Sequence, residues 1–226
     1  MDPVIVKRNS APAEESRPSK GQASRATILG AAAQLATTRG LDGLSIGDLA
    51  AAIGMSKSGL YAHFKSKEEL ELATIETAAG IFEREVLQPA AQARAGTERL
   101  RALADAFLSH LERRVFPGGC FFAAVASELD TRPGPARDSV VRVLEKWSAL
   151  FQQGILDAQA AGEIDPKAEA AQAAFEMQAM LLAGNFQFVM TNDPLRLSQA
   201  RKGVENVLAR LAVKKEPKKR PARRLP

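Results

Sequence analysis

The sequence predicts an all-α fold, and three observations carry that expectation. Apolar residues recur at three- and four-residue spacing along most of the 226 positions, and no run alternates apolar with polar residues for long. Helix starts and stops are punctuated: Ser45, Ser56 and Ser66 precede periodic segments, and Gly40, Gly54, Gly96 and Gly162 follow them. Alanine is abundant, whereas aromatic residues make up only 5% of the chain.

Taken in order, about nine helices are expected. Residues 1–22 are rich in Pro, Ser, Ala and charge, a composition that cannot build a core and predicts a disordered arm. The first helix runs from about Ser24 to Arg39, with Ile28, Ala32, Leu35 and Ala36 on its buried stripe and Gly40 as its stop. Ser45 caps the second helix, with Asp48 as capping-box partner and Leu49, Ala50 and Ile53 on one face. Gly54 supplies the left-handed corner that follows. Ser56 caps the third helix, Lys57 to Phe64, which Leu60 and Phe64 pack down at i, i+4 spacing. Two helices joined by a short turn containing Gly make a helix-turn-helix, a motif whose second helix enters the major groove of DNA. The fourth helix opens at Ser66 with Glu69 as its box partner and continues toward Ala95, with a kink or break at Pro89. The fifth spans Thr97 to Val115 and the sixth Cys120 to Asp130, separated by Pro117-Gly118-Gly119. Pro135 opens the seventh, which reaches about Ala161. Asp165-Pro166 and Asp193-Pro194 are start signals for the eighth helix, to about Thr191, and the ninth, to about Val213.

Composition narrows the class. No apolar stretch approaches the ~18 residues of a membrane span, and the N-terminus lacks the apolar core of a signal peptide. One cysteine cannot form an internal disulfide, which fits a cytoplasmic protein. The net charge of +5 is a tail property: residues 214–226 carry seven Lys/Arg and one Glu, whereas residues 76–213 sum to −2. That basic tail, expected to be disordered, is either a solvated terminus or a salt-sensitive DNA arm.

The string LAAAIGMSKSGLYAHFKSKEEL, with RATILGAAAQLATTRGLDGLSIGDLA leading into it, resembles the DNA-binding domain of the tetracycline-repressor-like (TetR) family of bacterial regulators. Gly40, Gly54, Tyr61, Phe64, Lys67 and Leu70 fall where the family has them, and the likeness covers roughly residues 24–72. It implies a DNA-binding head over residues 23–68 and a helical effector-binding and dimerisation domain over 69–213. It further implies a homodimer in the bacterial cytosol that binds a pseudo-palindromic operator in double-stranded DNA. A small-molecule effector of unknown identity would release this repressor. No cofactor, metal or enzymatic activity is expected.

Candidate sites follow. Lys57, Ser58, Gly59, Ala62 and His63 are short or polar residues on the face away from Leu60, suited to reading base edges. Ser45, Ser56 and Lys67 stand at helix starts, where backbone N–H groups and the dipole attract phosphate. The hydroxyl of Tyr61 can also reach a phosphate, and the resemblance implies backbone contacts at the Tyr61 and Lys67 positions. Arg25 is a further phosphate candidate. Phe107, Leu111, Phe121, Phe122, Val125, Trp147, Leu150, Phe151 and Phe186 form either a solid core or the lining of a cavity. Periodicity does not separate the two, and the resemblance implies a cavity. Ala171, Ala174, Phe175, Gln178, Ala179, Leu182, Val204 and Leu208 make stripes that pack within the chain or between chains. The resemblance implies a dimeric four-helix interface there.

Two alternatives stay open. Cys120, at a helix start, is a buried inert residue or the thiol of a redox- or electrophile-sensing regulator; regulation could also be activation. A more distant alternative is an enzyme carrying a DNA-binding head. The sequence offers no Gly-rich phosphate loop, carboxylate pair or nucleophile elbow for it, and His63 and His110 lack metal-ligand spacing.

Overall fold

A computed structural model describes residues 20–213. The expected arm up to residue 19 and the basic tail from residue 214 lie outside the described residues. The head comprises α1 (Lys20–Arg39), α2 (Ile46–Ile53) and α3 (Lys57–Tyr61). The body comprises α4 (Lys67–Phe82), a π-helical turn (Glu83–Leu87), α5 (Gln88–Ala91), α6 (Thr97–Glu112), α7 (Phe121–Leu129), α8 (Pro135–Ala160), α9 (Ala170–Thr191) and α10 (Leu195–Leu211). Since α4, the π turn and α5 follow one another without a break, the described residues contain nine helical rods, as expected. The isolated bridge between Ile164 and Ala212 is their only β-type pairing.

Local chemistry explains most boundaries. The hydroxyls of Ser45, Ser56 and Ser66 accept the backbone N–H groups of Asp48, Gly59 and Glu69 at 3.0–3.1 Å, capping α2, α3 and α4. Gly54 closes α2 at φ +67°, a conformation that side chains with a Cβ rarely adopt. Pro89 has no N–H and its ring crowds the carbonyl four residues back. The rod widens ahead of it, so that the Gln88 N–H reaches back five residues to the Glu83 carbonyl. The rod then ends at Ala91, short of the expected Ala95, because the Arg99 side chain takes the carbonyls of Ala91 and Ala93 at 3.3 and 2.7 Å.

Two boundaries differ more. The Asp165-Pro166 signal produces a turn, not the start of a helix, and α9 begins at Ala170. The Asp165 side chain accepts the Lys167 N–H at 2.9 Å, while its own N–H goes to the Leu211 carbonyl at 2.8 Å. The segment is thereby tied to the end of α10. The third helix stops at Tyr61 instead of Phe64, which places Ala62 and His63 in the turn that follows. The Arg25 guanidinium takes the His63 carbonyl and lies 4.3 Å over the Phe64 ring, turning the chain inward.

Buried Ile28, Ala32 and Ala36 of α1 carry the head onto the body. In the body, α9 and α10 approach closely at Gly184, where a Cβ would stand 2.6 Å from that of Ala200. A second tight corner lies at Gly118 and Gly119. A Cβ on Gly118 would meet the Thr37 carbonyl of α1 at 1.9 Å, and one on Gly119 would meet Asn185 of α9 at 2.4 Å. The Gly118 N–H donates to Thr37 Oγ1 at 3.1 Å and the Cys120 N–H to Asn185 Oδ1 at 2.9 Å. No helix of the described residues is long and apolar enough to cross a membrane.

Candidate functional site

The head presents a short polar face. Leu60 and Phe64 are buried and anchor α3 from below, which leaves Lys57, Ser58, Tyr61 and Ala62 exposed, with Gly59 and His63 partly covered. Tyr61 is 62% exposed, an aromatic side chain directed into solvent from the helix that a groove would receive. Ser45 and Ser56 lie at the edges of this face with their hydroxyls engaged in capping.

Two phosphate candidates are already partnered. Arg25 holds the His63 carbonyl and pairs with Glu69 at 3.3 Å, which makes it a brace for the turn after α3. Lys67 Nζ contacts the Asp42 carboxylate at 2.8 Å and the Asp42 carbonyl at 2.9 Å, with Glu71 at 3.6 Å. Asp42 also pairs with Arg132 at 2.6 Å, and the Lys67 and Arg132 cations hold its carboxyl down to about 2. Beside it, Glu128 of α7 accepts the N–H groups of Leu41 and Asp42, each at 2.7 Å. This polar joint ties the loop between α1 and α2 to the body. Sequence reasoning passed over Asp42, Glu128 and Arg132, because partners 86 to 90 residues apart leave no local pattern.

The body holds a half-open cavity of about 490 Å³. Phe82, Phe107, Phe122 and Trp147 form its aromatic wall, with Phe82 edge-on to Trp147 at 5.2 Å and to Phe122 at 6.0 Å. Ala123, Ala126 and Ser127 of α7, and Val143 and Leu144 of α8, complete two sides. Phe175, Gln178, Ala179 and Leu182 of α9 form the rim; Phe175 is 67% exposed and Leu182 53%. Of the residues expected to line a cavity, Phe107, Phe122 and Trp147 do so. Leu111, Phe121, Val125 and Phe151 are buried in the packing behind the wall, and Leu150 is half-buried on α8. Phe186 lies outside, 65% exposed on α9.

Cys120 lines the cavity too. Burial pushes its thiol upward, so it is protonated and poorly nucleophilic at neutral pH. Neither ring nitrogen of buried His110, behind Phe82, has a partner among the described residues.

The stripes of α9 and α10 divide. Val204 and Leu208, with Leu197 and Val207, are buried between α10 and the rest of the chain, and Ala174 is buried beneath α9. Intrachain packing accounts for these five. Phe175, Ala179, Leu182 and Phe186 instead run along the outer face of α9 at four- and three-residue spacing, extended by Met190, 70% exposed, with Ala171 one turn before them. Phe82, Ala123, Ala126 and Val143 are cavity residues that sequence reasoning missed. The spacing of Phe122 and Ala126, and of Val143 and Trp147, at i, i+4 was the available signal.

A helix-turn-helix head on a helical body with a chamber of ligand size defines a class, the DNA-binding transcriptional regulators. Residues 28–74 match the bacterial regulatory proteins of the tetR family, and residues 96–204 match the tetracyclin repressor-like C-terminal domain. The chain belongs to the tetR family. A TetR transcriptional regulator from Chloroflexus aurantiacus J-10-FL superimposes with a TM-score of 0.80 at 28% identity, covering 85% of this chain and 98% of the other. AibR, solved in complex with isovaleryl coenzyme A and operator DNA, has a TM-score of 0.64 at 26% identity, covering 83% and 97%. The HTH-type transcriptional repressor DhaR of Mycobacterium sp. (strain GP1) is 26% identical over 131 residues. That match spans 58% of this chain and 65% of DhaR, just under two thirds of the repressor's length.

Proposed function

We propose that this protein is a homodimeric, sequence-specific DNA-binding repressor of the bacterial cytosol, released from its operator by a small molecule held in the body. The observation that carries this reading is the exposed α3 face, pinned from below by Leu60 and Phe64, with side-chain caps at the starts of α2, α3 and α4. Lys57, Ser58, Gly59, Ala62 and His63 would face base edges, with Tyr61 and the caps of α2 and α3 against phosphates. DhaR is a repressor, and AibR is solved in complex with isovaleryl coenzyme A and operator DNA, so repression and a bound small molecule each have precedent among relatives.

The outer stripe of α9 from Phe175 to Met190 is the proposed dimer face, which would place two heads on half-sites spaced by about a helical turn of DNA or a multiple of it. Two routes join the cavity to the head. Phe82 is the last residue of α4 before the π turn, and α4 runs directly from the head. On α7, Ala126 and Ser127 line the cavity and the next residue, Glu128, holds the head loop. A coupling of ~1–3 kcal/mol through either route suffices for a useful switch.

The test is to sequence DNA fragments retained by the purified protein from a random pool. A recurrent inverted repeat is expected. Retention without sequence preference would remove the operator-binding reading.

A further inference from the structure

The cavity reveals the chemistry of its occupant. The lining residues include no charged side chain, and four aromatic rings form the wall. An anion inside would lose its hydration without gaining a counter-charge. Polar functions at the cavity are few: the Gln178 amide oxygen and the Ser127 hydroxyl accept, and the Trp147 indole N–H and the Cys120 thiol donate. Gln178 spends its amide NH2 on Ser148 Oγ at 3.3 Å and on the Ala174 carbonyl at 3.2 Å, which leaves its amide oxygen for a ligand. Ser127 donates its hydroxyl proton to the Ala124 carbonyl at 3.2 Å and likewise offers only lone pairs. The Cys120 thiol is a weak donor.

We propose that the cavity binds an uncharged, ring-containing apolar molecule bearing a hydroxyl or N–H donor, which meets the Gln178 amide oxygen at the rim. The proposal deepens the reading of the body as an effector domain and rests on it. Flat or cyclic apolar groups fill the space between Phe82, Phe107 and Trp147, where edge and face contacts are available. Beside Gln178 and Ser127 a donor is favoured over an acceptor, because a ligand carbonyl or ether there would confront their lone pairs. The same lining excludes free carboxylates and phosphates from the interior.

Three biphenyls of nearly equal size separate these claims: 4-phenylphenol, 4-methoxybiphenyl and biphenyl-4-carboxylate. Titration calorimetry on the full chain should show the phenol binding about tenfold tighter than the ether, and the carboxylate weakest. Gln178→Leu should bring the phenol down to the affinity of the ether and leave the ether unchanged. Ala126→Trp, checked for an intact helical melt, should abolish binding of both by filling the chamber. Equal affinity of carboxylate and phenol, no advantage of phenol over ether, or no saturable binding by any of the three would each overturn the proposal. Operator binding is measured separately on the same samples. A phenol that binds without releasing DNA leaves the ligand class standing and removes the effector role, so the two readings fail by different results.

Discussion

The Glu128 carboxylate on α7 receives the Leu41 N–H on one oxygen and the Asp42 N–H on the other, both at 2.7 Å. A single side chain of the body thus anchors the loop that leads into the DNA-reading half of the molecule, and the residue before it, Ser127, faces the cavity.

Replacing Glu128 by Ala should uncouple the two halves. Two backbone donors would lose a charged acceptor, and stability should fall by about 1–3 kcal/mol in urea denaturation. The ligand-induced change in operator affinity should shrink, while affinity without ligand stays close to that of the parent. A full ligand response in a destabilised E128A protein would assign the coupling to α4 instead.

Asp42→Asn should strengthen DNA binding. Lys67 is held by Asp42, and freeing it restores a mobile cation at the start of α4. Affinity should rise on every sequence, with the slope of log affinity against log salt steepening by about one unit. The Asp42 carboxyl is held down to about 2 in the folded protein. Its pairing is therefore complete above the ordinary carboxylate range and is lost only as pH falls toward 2. A pH effect on DNA binding between 5 and 8 would have to arise elsewhere.

His110 should make the protein acid-sensitive. Burial is the main cause that lowers its imidazole from 6.5 to about 4, assisted by Arg113 and opposed by Glu85. The unfolded chain then binds a proton near pH 6.5 that the folded chain refuses until about pH 4. Stability is lost on acidification across that interval, by about 3 kcal/mol. His110→Leu should flatten the profile between pH 6.5 and 4 in denaturant melts. A wild-type profile already flat there would contradict the neutral buried imidazole.

Phe186→Asp should give folded monomers. Phe186 is exposed on the α9 stripe and outside the cavity, so its replacement tests association without changing a lining side chain. Light scattering should report half the parent mass, with operator affinity greatly reduced. An unchanged mass would move the dimer face off α9. A charge at Ala174, which is buried within the chain, should instead cost the fold itself.

The head was legible because its signals are local. Ser45, Ser56, Ser66 and Gly54 act on backbone groups within three or four residues, and all four are capping residues in the structure. Where the sequence misled, a distant partner intervened. Arg25 ends α3 from 38 residues away, and the Leu211 carbonyl ties down Asp165. The cavity was half legible. Periodicity places Phe121 and Phe122 on a buried helix, but the space that only Phe122 borders depends on how α7, α8 and α9 pack around it. Phe186 and Val204 have the same spacing as their neighbours and opposite environments, because α10 covers one side of α9 and leaves the other bare.

The glycine corner at residues 118 and 119 acts as a caliper. Through it the first helix of the head abuts the same helix whose outer stripe would meet a second subunit, with no room for even a methyl group between them. In the proposed dimer, the reach between two reading heads would be set at this corner, away from the face of α3 and from the lining of the cavity. Changes of size at Ala123, Ala126 and Val143 would then retune what the chamber accepts and leave that reach as it is. A substitution at Gly118 would leave the chamber's lining as it is and change which spacing of half-sites the pair of heads can straddle.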